Sequence, residues 1–185
     1  MKNRLFAGIL ISLGGIVFLQ FEGLLGSVLS SISFLAILYS EAELWTEEIS
    51  RWDKIDWKWI GHTTSILALN LLAIWLMSFL FSEMKEASTF LVQEHLDYGY
   101  WFPRAVLCGL IIDISLWFGR SLGPLMIFLG TTLFMILGYP HILNEFFYIS
   151  VGGVWTWQTI WYCVVVLLGN MVGANIRRVL SLRKP

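Results

Sequence analysis

Charged residues are scarce in this sequence. Only 14% of its 185 residues are Asp, Glu, Lys or Arg, and the formal net charge is -1. A protein that binds nucleic-acid phosphates needs a clear excess of basic residues, so we exclude nucleic acid as a partner. Cysteine is also rare: Cys108 and Cys163 lie in apolar runs, without the spacing of a disulfide or a metal site. We find no paired His/Asp spacing for a metal and no Ser/His or Cys/His pattern, and therefore expect no enzymatic activity, cofactor or metal.

Apolar residues fill the chain instead. Hydrophobic residues make up 57% of the sequence and aromatic residues 16%, and the mean hydropathy is +0.73. These values are typical of an integral membrane protein. A helix needs about 20 apolar residues to cross a bilayer, and the sequence predicts six spans in one membrane domain: residues 5–19, 23–39, 59–81, 102–118, 122–148 and 156–180. The first run ends without a small-residue cleavage pattern, so we interpret it as a span and not as a signal peptide.

Basic residues predict the orientation of these spans. With six spans and a cytoplasmic N-terminus, ten of the twelve Lys and Arg lie on the cytoplasmic side: Lys2, Arg4, Arg51, Lys54, Lys58, Arg120, Arg177, Arg178, Arg183 and Lys184. Only Lys85 and Arg104 then lie outside. The positive-inside rule expects such a bias. We therefore predict a multi-pass protein of the inner (plasma) membrane with both termini in the cytoplasm.

Two of the predicted spans are interrupted. In the fifth span Gly-Tyr-Pro at residues 138–140 precedes His141. In the second span the interruption lies at residues 41–46, which include the acids Glu41 and Glu43. In hydrocarbon every backbone N–H and C=O needs an internal partner, so a broken helix persists only where it lines a cavity or is buried in protein. Matching interruptions in two halves, here residues 1–82 and 101–185, point to a site between inverted repeats. The alternative is a kinked helix with a hydrogen-bonded His141 and a coincidental match between the halves.

The residues at both breaks resemble the formate–nitrite transporter family. Ala-Glu-Leu-Trp-Thr at residues 42–46 is similar to the family's Gly-Ala-(Asp/Glu)-Leu-Phe-Thr motif, and Gly-Tyr-Pro-His at 138–141 resembles its Gly-Phe-Glu-His motif. Further similar segments follow in order along the chain: residues 7–8 with 13–15, residues 119–122 and residues 169–173. The resemblance implies an all-α, aquaporin-like fold of six transmembrane helices in two inverted three-helix repeats, with the second and fifth helices interrupted. It also implies a homopentamer in the lipid bilayer, in which each protomer passes small monovalent weak-acid anions such as formate, nitrite or hydrosulfide.

The resemblance also implies roles for individual residues. Leu44 and Trp45 would contribute to an inner apolar ring, Phe134 would form the outer ring, Thr46 would offer a hydroxyl, and His141 would be the central histidine. The complete set of predicted pore residues is Glu43, Leu44, Trp45, Thr46, Phe134, His141, Asn144 and Glu145. A buried histidine between such rings could donate a proton to an arriving anion or hydrogen-bond it, because the charge change of His lies near neutral pH.

The sequence departs from the family at several acidic and basic positions. Leu125 replaces a typical Lys, Glu41 replaces a Gly, and Glu145 replaces an Asn, with Asn144 one place earlier. If the helix restarts after Pro140, Glu145 would lie one turn from His141 and could pair with it. His95, in the predicted outer link, is expected to be solvated.

These departures leave two interpretations open. In one, the acids at Glu41, Glu43 and Asp113 cap backbone groups or pair with neighbours. In the other, they weaken the access of anions and change the substrate. The alternative functions are therefore a channel of the same fold for a neutral or cationic solute, and a membrane assembly protein without a pore.

Overall fold

Helices form almost the whole of the chain. The computed structural model describes residues 1–21, 23–50, 56–97 and 99–180, so the predicted cytoplasmic residues Arg51, Lys54, Arg183 and Lys184 lie outside the described part. The first helices are α1 (Lys2–Phe21), α2 (Gly23–Tyr39), α3 (Trp45–Glu48) and α4 (Trp57–Ser78). A 3₁₀ segment (Phe79–Met84) and α5 (Lys85–Asp97) follow. The chain continues with α6 (Trp101–Leu122), α7 (Leu125–Ile136), α8 (Ile142–Gly152), α9 (Trp157–Gly173) and α10 (Ile176–Val179).

The helices fall into two length classes. Within the described residues, four helical stretches are long and apolar enough to cross a membrane: Lys2–Phe21, Trp57–Asp97, Trp101–Leu122 and Trp157–Val179. The helix α7 has 12 residues and α8 has 11. At 1.5 Å per residue each extends less than about 20 Å, which is shorter than a hydrocarbon core of about 30 Å. Neither helix can therefore cross a bilayer alone.

Helix packing repeats along the chain. The helix α1 packs against α2 and α4, α6 packs in the same way against α7 and α9, and α2 and α7 pack against each other between these two groups. The short helix α3 contacts α4 and α6, whereas α8 contacts α4, α9 and α1. The core therefore lies where α3 and α8 meet the longer helices.

Small residues permit the closest helix crossings. A methyl group added at Gly173 in α9 would collide with the carbonyl oxygen of Val106 in α6, and one added at Gly109 would collide with the carbonyl oxygen of Asn170. In a membrane such residues let backbones approach closely enough for dispersion contacts to hold helices together. Gly169 serves the same packing, because it lies against Ala105.

The segment between the two groups of helices differs from its sequence-based interpretation as a link. Residues 85–97 form the regular helix α5, which packs along α8. The hydroxyl of Ser88 donates to the carbonyl oxygen of Tyr148 at 2.6 Å, and Val92 and Leu96 are buried. The sequence signal was weak because α5 also carries Glu86, Glu94 and Asp97, so that only one narrow face is apolar.

Candidate functional site

The two helix breaks have the same local structure. After α2, Glu41 has a positive φ of 52°, and the N–H of the next residue donates to the carbonyl of Ile37 at 3.1 Å. After α7, Gly138 has a φ of 61°, and the N–H of the next residue donates to the carbonyl of Phe134 at 2.9 Å. This pattern is the Schellman motif that ends many helices, and glycine adopts its left-handed position most readily. Glu41 thus occupies a backbone conformation that favours glycine, at the position where the resembling family has Gly.

A buried asparagine fixes the extended residues of the first break. The side-chain oxygen of Asn70 in α4 accepts the N–H of Trp45 at 3.0 Å. Its amide nitrogen donates to the carbonyls of Glu43 at 3.1 Å and of Arg4 at 2.7 Å. Asn70 is fully buried. One side chain therefore satisfies three backbone groups that leaving the helix would otherwise expose.

Asn170 in α9 does the same for the second break. Its side-chain oxygen accepts the N–H of Ile142 at 2.9 Å. Its amide nitrogen donates to the carbonyls of Pro140 at 3.1 Å and of Ala105 at 2.9 Å. The two asparagines are 100 positions apart, and each ties a break to the first long helix of its own half.

His141 lies between the two breaks. It is 1% exposed and immediately precedes the first turn of α8. Its Nε2 lies 3.2 Å from the hydroxyl oxygen of Thr46 in α3, and its Nδ1 lies 3.3 Å from the side-chain oxygen of Asn144. With the side-chain oxygen of Asn144 as acceptor, a neutral imidazole would carry its proton on Nδ1 and accept from Thr46 through Nε2. The second break thus supplies the imidazole and the first break supplies the hydroxyl.

Two phenylalanines flank the imidazole. The ring centroid of Phe34 in α2 lies 5.7 Å from that of His141, and Phe134 in α7 lies 5.6 Å away. The two phenyl rings meet edge to face at 5.8 Å. Both are buried. Together they place an apolar constriction beside the polar groups of His141.

Small cavities lie on both sides of this constriction. Towards the end of α2, a cavity of about 20 Å³ is lined by Phe34, Leu44, Ser115 and Thr131, among others. On the opposite side another cavity of about 20 Å³ reaches His141, Asn144 and Glu145. A larger cavity of about 330 Å³ adjoins it, lined by residues including His95 and Arg104. A volume of 20 Å³ holds about one water molecule, so the route through the constriction is narrow.

The structure is similar to solved structures of channels. It superimposes on a pentameric formate channel with formate bound, with a TM-score of 0.82 over 97% of this chain and 94% of that chain, at 16% identity. The chain has the fold of a formate channel. It also matches an FNT family ion channel, with a TM-score of 0.81 over 97% of this chain and 87% of that chain, at 15% identity. No family model and no curated protein gives a significant match to the sequence. With its apolar helices, this formate-channel fold makes the chain a multi-pass membrane protein.

Four of the predicted pore residues meet at the centre of the formate-channel fold. These are Thr46, Phe134, His141 and Asn144. Leu44 lines the adjacent cavity on the α2 side. Trp45 is buried, and its backbone N–H is bound to Asn70.

The other two predicted pore residues form pairs with basic side chains. The carboxylate of Glu43 accepts from the guanidinium of Arg4 at 2.6 Å, near the start of α1. Glu145 lines the cavity that reaches His141, but its carboxylate pairs with a different histidine, so the expected pairing of these two residues is wrong. Its carboxylate lies 2.9 Å from Nδ1 of His95 in α5. His95 is accordingly mostly buried and not solvated as the sequence suggested.

The acids that distinguish this sequence are largely neutralised. Asp113 in α6 is 1% exposed and accepts two hydrogen bonds from Arg177, at 2.7 and 3.0 Å. The interpretation that such acids pair with neighbours is correct for Asp113. Leu125, where the family has Lys, is exposed at the start of α7. Among the described residues, no group of three or more His, Cys, Asp or Glu side chains could hold a metal ion.

Three residues of the site were absent from the sequence-based prediction: Phe34, Asn70 and His95. A signal for two of them is present in the sequence. Phe34 and Phe134 are 100 positions apart, as are Asn70 and Asn170, so an alignment of the two halves would have found both pairs. His95 has no counterpart of this kind, because α5 lies between the halves.

Proposed function

We propose that this protein is a membrane channel that passes small monovalent anions of weak acids, such as formate or nitrite. The observation that carries the proposal is the buried His141, which lies beside an apolar constriction and receives polar groups from both helix breaks. The likeness to a formate channel with formate bound supports the same substrate class.

Two inverted repeats would build the pore. We propose six membrane crossings, with α2 and α3 forming the second and α7 and α8 the fifth, in halves of residues 1–82 and 101–185. The equivalent hydrogen bonds of Asn70 and Asn170 support this arrangement, as do the repeated helix contacts. Three crossings reverse the direction of the chain, so the second half is inverted relative to the first. The bias of basic residues favours cytoplasmic termini in the inner membrane.

The constriction favours a neutral solute over a bare anion. Removing an unpaired charge from water costs several kcal/mol or more, and Phe34 and Phe134 offer little to compensate for that loss. A weak acid avoids most of this cost when it crosses in its protonated form. In the proposed mechanism His141 exchanges a proton with the solute through Nε2, while Thr46 hydrogen-bonds it and Asn144 holds the imidazole in place.

The ion pairs favour an anion over a cation. Asp113, Glu43 and Glu145 are paired with Arg177, Arg4 and His95, so these three acids offer a cation little free negative charge. Glu47 and Glu94 also line the cavities. Leu125 remains the feature that favours a neutral solute, since it removes a basic residue near one end of the proposed pore.

Uptake into proteoliposomes tests the proposal. Formate and nitrite uptake is measured with and without an inward proton gradient for the wild type, His141→Ala and His141→Asn. His62→Ala is the matched control, because His62 lies in α4 with a partly exposed side chain. We expect wild-type uptake to rise with the gradient. In both His141 variants uptake should fall by about 100-fold, which is the lower end of the range of rate losses expected when a proton-transferring group is removed.

A folded wild type whose uptake equals that of empty liposomes would contradict the proposed function. Folding is established from the elution volume and the thermal unfolding of each variant in detergent. Equal losses in the His62 and His141 variants would remove the central role of His141.

A further inference from the structure

An ion pair lies on the approach to His141 from the side of α5. His95, in the last turn of α5, places Nδ1 2.9 Å from a carboxylate oxygen of Glu145, one turn after His141 in α8. The side chain of Glu145 is 2% exposed and that of His95 is 11% exposed. A charge-assisted hydrogen bond of this length is strong, and a carboxylate so far from water needs such a partner.

The surroundings of the pair contain few other charges. Arg104 in α6 interacts electrostatically with His95, but its guanidinium also donates to the carbonyls of Leu137 at 3.3 Å and Gly138 at 2.8 Å. The described titratable and charged groups that interact with the pair are Glu94 in α5, Arg104 and Cys108 in α6, Tyr148 in α8, and Tyr162 and Cys163 in α9. Burial of His95 opposes a positive charge, whereas the adjacent carboxylate of Glu145, the acidic partner in direct contact, favours the imidazolium form.

His95 connects two cavities. It lines the cavity of about 330 Å³ that contains Arg104, and also the smaller cavity that reaches His141 and Phe134. A solute that moves from the larger cavity towards His141 therefore passes the imidazole of His95. No residue of the pair belongs to the constriction itself.

We propose that His95 and Glu145 form a second proton-exchange site, which protonates a weak-acid anion on the outer side before the anion reaches His141. This inference rests on the proposed function. It assigns a role to the helix α5 and to the glutamate that departs from the resembling family.

The proton balance of the step is simple. The imidazolium gives its Nε2 proton to an oxygen of the incoming anion, so one N–H bond breaks and the O–H bond of the neutral acid forms. The electron pair stays on Nε2, and a proton from the outer solution restores the imidazolium. Glu145 accepts the hydrogen bond from Nδ1 throughout.

The test compares formate uptake by the wild type and by the double variant His95→Gln/Glu145→Gln at several outer pH values, with the inner pH fixed. The double variant replaces both charges by amides, because the removal of one partner would leave a buried unpaired charge. The control is His62→Gln/Glu48→Gln, which changes another histidine–carboxylate pair, at 3.6 Å and with both side chains partly exposed.

We expect the ratio of wild-type to variant uptake to depend on outer pH. Near neutral pH formate arrives as the anion, and the ratio should be about tenfold. Loss of a general acid usually lowers a rate by roughly 100-fold or more, but the effect should be smaller here because His141 remains. As the outer pH falls towards about 4, where carboxylic acids become protonated, the ratio should approach one. The control pair should give a ratio near one at every pH.

Other outcomes overturn the inference. A ratio that is constant with pH would show that the pair supports structure and does not transfer a proton. An equal effect in the control would show that the loss is not specific to this side of the pore. A wild type without formate uptake would contradict the proposed function itself, which separates that failure from the failure of the second proton site.

Discussion

At the residue scale, three ion pairs and two asparagines determine how polar groups are accommodated in this apolar protein. The partners in Arg4–Glu43, His95–Glu145 and Asp113–Arg177 are 39 to 64 positions apart. No local pattern in the sequence predicts such pairs, because they depend on which helices become neighbours. The expectation for Glu145 was wrong for this reason: spacing along α8 brings His141 within reach, but the competing partner comes from α5.

Asn170 offers a test of this accommodation. In Asn170→Ala the N–H of Ile142 and the carbonyls of Pro140 and Ala105 lose their side-chain partner. A buried polar group without a partner costs about 1–3 kcal/mol, so we expect the free energy of unfolding to fall by about 3 kcal/mol or more. Denaturant titration in detergent measures the change.

The control for Asn170 is Gln93→Ala. Gln93 is exposed on α5 and donates one hydrogen bond, to Asp97 at 3.0 Å, so its loss should change stability by less than about 0.5 kcal/mol. A similarly small effect of Asn170→Ala would mean that water or a rearranged backbone satisfies the second break, and the role given to this side chain would be lost.

At the element scale, the sequence predicted the apolar helices well and their partners poorly. The apolar helices could be predicted because hydropathy is a local property of the sequence. The break from Gly138 to Pro140 is also local, because it follows from the missing N–H of proline and from a glycine in the left-handed conformation. The docking of α5 on α8 is not local, and three acidic residues on α5 masked its apolar face. The end of α2 was also hard to predict, because Glu41 occupies the left-handed position at which a glycine usually indicates the end of a helix.

The crossing of α6 and α9 gives a prediction at this scale. In Gly173→Ala the new methyl group would meet the carbonyl of Val106, which is backbone and cannot rotate away. We expect a loss of about 1–3 kcal/mol in the free energy of unfolding, the usual cost of overpacking. Gly61→Ala is the matched control, since no side chain or neighbouring helix of the described residues lies within 4 Å of the added methyl group. Alanine favours helices over glycine by about 1 kcal/mol, so the control should be neutral or slightly more stable. If both variants behaved alike, close packing at Gly173 would not explain the crossing.

At the scale of the whole molecule, two similar halves place one chemical centre between them. The first half contributes Phe34 and Thr46, and the second contributes Phe134 and His141. Since both parts of the centre come from one chain, we propose that each protomer contains a complete pathway. We propose that the homopentamer, suggested by the likeness to a pentameric formate channel, is an assembly of five separate pores.

Mixed assemblies distinguish five separate pores from one shared pore. Wild-type and His141→Ala chains are co-expressed in known ratios, reconstituted together and assayed for formate uptake. With a pore in every protomer, uptake should fall in direct proportion to the fraction of variant chains, because each wild-type protomer conducts independently of its neighbours. If conduction required all subunits of the closed ring to act together, one variant chain would impair the whole assembly and uptake would fall far more steeply. Proportional loss requires that the variant chains assemble normally, which native mass spectrometry of the mixtures establishes, and a steep loss in intact pentamers would show that the protomers do not conduct independently.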